Sequence, residues 1–204
     1  MYRYRLHIVL TVLLLVSLTS CMKTFTLKEK DMKLEGGSIA VISGLNHEAN
    51  LSMAILVTDE LQKNSRFKVL SQKDIAGALP YYPVRIQGPW TRAYVQIDED
   101  YTQTDIEKIK KMQKRLGVKY IYVLWMPASI SWGGSGSDVD ELHAISQLFM
   151  FPGGKEIGNG EFVMRLFTGG LVIGQSAKSK KELMEQFAQK ISTDIVTQMN
   201  MQKK

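Results

Sequence analysis

The sequence predicts an α+β domain with an α/β-like opening. It is a mixed β-sheet with helices packed against it, in the order β-α-β-α-(α)-β-β-β-β-α. Three observations predict it. Ser38–Ser43 and Lys119–Pro127 are nearly continuous apolar or β-prone runs, as expected of strands buried on both faces. Between them and near the carboxyl end, apolar residues recur at helical spacing. From Glu141 to Gly174 short runs are broken by glycines, as in antiparallel strands joined by turns. With 204 residues, 45% apolar and 23% charged, the chain can build one sizeable core. A single strongly apolar run excludes a multi-span membrane protein. The one cysteine, Cys21, excludes an intrachain disulfide framework and any zinc site with two cysteine ligands.

The amino terminus reads as an export signal. Arg3 and Arg5 precede Leu6–Leu18, an apolar run of signal-peptide length and shorter than the roughly 20 residues of a membrane-spanning helix. The run ends in Leu18-Thr19-Ser20-Cys21, which resembles the bacterial lipobox. That resemblance implies cleavage of residues 1–20 and lipidation of Cys21, with acyl chains anchoring the protein in a membrane. Loss of Arg3 and Arg5 takes the formal charge from +6 to +4. Residues 21–37 read as a tether, spanning roughly 20 Å as a coil, in which Thr24–Leu27 has the makings of a short strand. Residues 38–204 read as one globular domain.

Within that domain each element has a local signature. Ser38–Ser43 is the first buried strand. Glu48–Lys63 is a helix starting near Asn46 or His47, with Leu51, Ala54, Ile55, Thr58 and Leu61 on one face. Arg66–Leu70 alternates as a strand, and Ser71 caps a short helix through Leu79. Two strands joined through a helix are expected to lie parallel. Residues 80–100 form a Pro- and Tyr-rich insertion in which Val84–Ile86 and Ala93–Ile97 pair as a hairpin. Thr104 and Glu107 make a capping box for the helix Asp105–Leu116, whose Ile106, Ile109, Met112 and Leu116 face inward. Gly117 ends it. Lys119–Pro127 is the strongest strand, and Ser131–Ser137 is a loop. Glu141–Phe151 is a further strand. Pro152-Gly153-Gly154 and Gly158-Asn159-Gly160 bracket a turn region, and Phe162–Phe167 pairs with Leu171–Gly174 across Thr168-Gly169-Gly170. Ser179 and Glu182 open a last helix to Met199, striped with Leu183, Phe187, Ile191 and Ile195.

Four segments carry a family resemblance: Ile39-Ala40-Val41-Ile42; Leu56–Leu61 leading to Arg66–Leu70; Leu116-Gly117-Val118-Lys119-Tyr120-Ile121-Tyr122; and Val163–Gln175. They resemble a group of bacterial envelope proteins. It includes the TolB amino-terminal domain, the curli-secretion channel lipoprotein and the lipoprotein activators of penicillin-binding proteins. The resemblance implies a mixed sheet with helices against it, and an envelope role in assembly or transport. Two long hairpins of membrane-inserting pattern are missing, which speaks against a pore.

No catalytic constellation stands out. Asp138, Asp140, Glu141 and His143 are read as a solvated acidic loop, without the glycine and closing glutamate of a calcium loop. His47 and His143 read as loop or capping residues, and no nucleophile motif precedes a helix. Lys108, Lys110, Lys111, Lys114 and Arg115 make one helix basic, read as a solvated face with anionic headgroups or glycan polymers as the functional alternative. Neither catalytic residue, metal, cofactor nor nucleic acid is expected. The aromatic set Tyr81, Tyr82, Trp90, Tyr94 and Tyr101 is the candidate partner surface, because loop tyrosines and tryptophans favour interface anchoring. The expectation is a non-enzymatic lipoprotein that binds another envelope protein, or alternatively an oligomeric secretion component or a protein acting on envelope polymers. Met22 follows the cysteine where enterobacterial inner-membrane lipoproteins carry aspartate, so the outer membrane, facing the periplasm, is implied.

Overall fold

The computed structural model describes residues 24–29, 36–88, 104–126, 139–167 and 180–200. Cys21, Trp90, Tyr94, Tyr101 and Asp138 lie outside the described residues. So do 171–174, the expected last strand, and the loop 131–137.

Six strands form one sheet. They are β1 (Thr26–Leu27), β2 (Ser38–Ser43), β3 (Lys68–Val69), β4 (Tyr120–Trp125), β5 (Val139–Met150) and β6 (Lys155–Phe167), in spatial order β1-β6-β5-β4-β2-β3. Four helices are described: α1 (Glu48–Asn64), α2 (Gln72–Ala78), α3 (Ile106–Leu116) and α4 (Lys180–Gln198). The class is α+β, as expected from the sequence. β2 pairs parallel with both β3 and β4, and β4, β5 and β6 follow antiparallel.

The sheet is buried on two faces. Ile39, Val41, Tyr120, Tyr122 and Leu124 join α1 and α4 in one cluster. Ala40, Ile42, Ile121, Val123 and Trp125 join α2 and α3 in the other. This alternation explains why β2 and β4 read as unbroken apolar runs. On α4 the expected stripe of Leu183, Phe187, Ile191 and Ile195 is buried. On α1 the buried arc is turned from the expected one. Asn50, Met53, Ala54, Val57, Thr58 and Leu61 face inward, whereas Ile55 is 39% exposed. The polar Asn50 belongs inside because it serves the strand ends, as shown below.

Several local expectations are corrected. Asp105, not Thr104, caps α3, accepting from the Lys108 N–H at 3.0 Å. Thr104 instead donates to Gln147 of β5. Val84–Ile86 forms no strand among the described residues. Gly117 does end α3, in the left-handed region at φ 63°. Gly158, Asn159 and Gly160 are not a turn but lie within β6, and the reversal occurs at Phe151–Gly154.

The glycines in β6 are explained by the amino-terminal segment. The stretch read as a tether supplies β1, with Thr26 opposite Asn159 and Leu27 opposite Gly158. Phe25 is fully buried and stands edge-on to Tyr122 at 6.2 Å. A Cβ on Gly158 would lie 2.5 Å from the Phe25 ring, and one on Gly160 3.1 Å from the Phe25 Cα. A glycine in a strand here marks a close approach rather than a bend.

Phe25→Ala should therefore cost about 3–5 kcal/mol, and Gly158→Ala about 1–3 kcal/mol, in urea unfolding. Because the two share one contact, the double variant should cost clearly less than the sum. Additivity would refute the seating of Phe25 on Gly158.

Candidate functional site

The carboxyl ends of β2 and β4 carry the densest polar network described. It arises from a shortage. β3 is only two residues long, and its neighbourhood supplies β2 with the bonds from Lys68 N–H to Gly37 and Leu70 N–H to Ile39. Farther along the same edge of β2, the Val41 carbonyl and the Ser43 N–H have no strand to meet. Buried backbone groups left unpaired are costly, so side chains take their place. Gln72 Nε2 donates to the Val41 carbonyl at 2.7 Å and to Thr58 Oγ1 at 2.8 Å. Tyr82 Oη accepts from the Ser43 N–H at 2.9 Å and donates to Gln72 Oε1 at 3.0 Å.

On the other side of β2, Asn50 ties the strand ends together. Its Nδ2 donates to Ser43 Oγ at 2.5 Å and to the Leu124 carbonyl at 3.0 Å. Its Oδ1 accepts from the Met126 N–H at 2.6 Å. His47 caps α1 just before it, Nδ1 accepting from the Asn50 N–H at 3.2 Å, as one expected reading of that histidine had it.

The start of the Pro/Tyr-rich insertion is pinned to this node. Ile86 N–H donates to the Gly44 carbonyl at 2.9 Å, and the buried Trp125 indole donates to the Ile86 carbonyl at 2.9 Å. Gly44 lies so close to that indole that any Cβ would collide with it. Lys108 Nζ reaches from α3 to the Arg85 carbonyl at 2.8 Å.

This framework divides the expected aromatic set. Tyr82 is turned inward and is structural, so it cannot serve as a partner-facing ring. Its neighbour Tyr81, at φ 65°, is 95% exposed. A positive φ is unfavourable for a bulky residue, and here the clamped Tyr82 holds the turn. Trp90, Tyr94 and Tyr101 lie outside the described residues.

The expected acidic loop is corrected as well. Asp140, Glu141 and His143 belong to β5, paired with Leu166, Arg165 and Val163. His143 is 2% exposed and lies 3.2 Å from Glu161. It is a buried strand histidine, not a loop or capping residue. Among the described residues no three His, Cys, Asp or Glu side chains gather as a metal site would require. No described helix is long and apolar enough to cross a membrane. On α3, Lys110 pairs with Glu107 at 2.7 Å, whereas Lys111, Lys114 and Arg115 are exposed.

No family model matches the chain, and no curated protein matches it. Among solved structures it is similar to a point-variant PelC dodecamer from Paraburkholderia phytofirmans, with 9% identity and a TM-score of 0.49 over 86% of this chain and 98% of that one. A second PelC dodecamer from that organism matches at 10% identity and a TM-score of 0.49, over 83% and 95% of the two chains. The lipoprotein GNA1162 from Neisseria meningitidis matches at 15% identity and a TM-score of 0.47, over 78% and 98%.

Burial pushes the Tyr82 phenol up to about 12, the bond from Ser43 opposing this. The fold thus favours the neutral phenol. Its contribution is intact below pH 10, the ordinary value, and is lost as pH rises from there towards 12. The fully buried Tyr122 is pushed up by the same cause and acts in the same direction. Tyr82→Phe should cost about 1–3 kcal/mol at neutral pH, by removing the acceptor of the Ser43 N–H and the donor to Gln72 Oε1. It should also flatten part of the alkaline loss of stability. Denaturant titrations at pH 8 and pH 11 would check both; an unchanged alkaline slope would show that Tyr82 does not couple to folding.

Proposed function

We propose that this chain is a lipid-anchored, non-catalytic protein of the bacterial envelope. It docks another envelope protein through the loop bearing Tyr81, in the assembly or transport of surface material. The anchor is supported by the order of basic residues, apolar run and Leu18-Thr19-Ser20-Cys21. The observation that carries the docking reading is Tyr81, an almost fully exposed ring on a turn that Tyr82 pins to the sheet. A fixed aromatic loses little conformational freedom on binding, which is what makes tyrosine an effective anchor.

A non-catalytic role is supported by the chemistry of the best-developed polar node. Asn50, Gln72 and Tyr82 are each occupied in completing backbone hydrogen bonds. None is a nucleophile with an adjacent base. By resemblance of the residue after the cysteine, the protein sits at the outer membrane, facing the periplasm.

Cys21→Ser should abolish incorporation of a fatty-acid analogue and release the protein from membranes. Persistent incorporation would sink the anchor. Tyr81→Ala should lower crosslinked partner recovery from intact cells about tenfold, while shifting stability by less than about 0.5 kcal/mol. Unchanged recovery would remove this loop as the docking surface.

A further inference from the structure

The strand registers fix the end of the sheet from which the amino terminus leaves. Thr26 lies opposite Asn159, Asn159 opposite Gln147, Gln147 opposite Val123 and Val123 opposite Ile42. These five residues make one row across the sheet. β1 runs antiparallel to β6, β6 to β5 and β5 to β4, so β1 runs opposite to β4 and β2. The residues before Thr26 therefore lead towards the carboxyl ends of β2 and β4. That pole carries Ser43 and Gly44, and the loop with Tyr81 is tied to it on either side, through the Tyr82 hydroxyl on Ser43 and the Ile86 N–H on Gly44.

Cys21 is four residues before Phe25, and Phe25 is locked in the core. Four residues reach at most about 14 Å when fully extended. A lipid on Cys21 is thus held close to this pole by covalent length alone. The opposite pole is basic: it carries Lys68, opposite Ser38, and the last turn of α3 with Lys114 and Arg115. It lies at least four residues along the strands, about 13 Å, below the row of Ser43 and Leu124.

From this we infer that the pole bearing Tyr81 is the membrane-facing surface of the protein and that the basic pole is turned away from the bilayer. The inference rests on lipidation of Cys21 and narrows the partner: what Tyr81 docks is a protein seated in or on the same membrane. The clasp that sets this orientation is Phe25. Without it the leash would run to Ser38 and leave the domain free to tumble.

The chain has no cysteine besides Cys21, so introduced cysteines can be labelled singly. Tyr81→Cys and Lys114→Cys, each in the full lipidated chain and carrying a fluorophore, would be placed in vesicles containing a headgroup-nitroxide quencher. The label at position 81 should be quenched several-fold more than that at 114. Insertion of about a dozen Gly and Ser residues between Lys23 and Thr24 should abolish the difference without altering the fold. Equal quenching at the two poles, stronger quenching at 114, or no effect of the insertion would overturn the inference. Flotation with vesicles and the mass of the acylated amino-terminal peptide report separately on lipidation, so failure of the anchor is not confused with failure of the orientation.

Discussion

The central constraint is the unfinished edge of β2. This strand is buried on both faces, and every peptide group along it must find a partner without water. β4 satisfies one edge in full, whereas β3 stops after two residues. The remaining groups are met by Gln72 and Tyr82. These two bonds decide where α2 begins and where the following loop comes back to the sheet. They also decide which of two adjacent tyrosines points outward. The path of residues 80–88 is thus a consequence of a strand that is too short.

At the far side of the sheet a different economy operates. β1 is also two residues long, and its contribution comes from Phe25 rather than from its ladder. The ring occupies space that Gly158 and Gly160 leave open, against Tyr122. Lys28 pairs with Glu156, and Lys155 with Glu29, at the rim. Such exposed pairs add little stability. Short outer strands flanked by charge do, however, offer a poor template for pairing with another chain. Both outer strands of this sheet have that form, with Lys68 in β3.

What was legible in the sequence is what local pattern dictates. β2, β4, α3 with Gly117 and the stripe of α4 each follow from a run of a few residues, and their pairing follows from the order of elements. What was not legible depends on contacts distant in sequence. Glycine favours a turn and also permits a close approach, and only Phe25, more than 130 residues away, decides between them for Gly158. The turned face of α1 depends on Asn50, which local hydropathy places outside and the Leu124 carbonyl draws inside. His143 read as polar and therefore as loop, yet β4 and β6 flank its strand. Tyr81 and Tyr82 are the same residue twice, and no composition rule separates them. The sequence also predicts a strand over Arg66–Leu70, whereas only Lys68–Val69 pairs with β2, so the shortage that Gln72 and Tyr82 make good was not legible.

The same division explains why the docking reading falls on the braced pole and not on the more conspicuous basic one. Lysines at the end of a helix keep their hydration, and the helix dipole favours them there without any partner. Lys114 and Arg115 therefore need no further explanation. An aromatic ring held in the left-handed region is different, because both its exposure and its backbone conformation are unfavourable for the isolated domain. The fold maintains that arrangement through Tyr82, Gln72 and the Gly44–Trp125 contact, all of which would be satisfied equally well with a small residue at position 81. Internal packing thus accounts for the left-handed backbone at position 81 but not for an aromatic side chain there, and the docking proposal rests on that exposed ring.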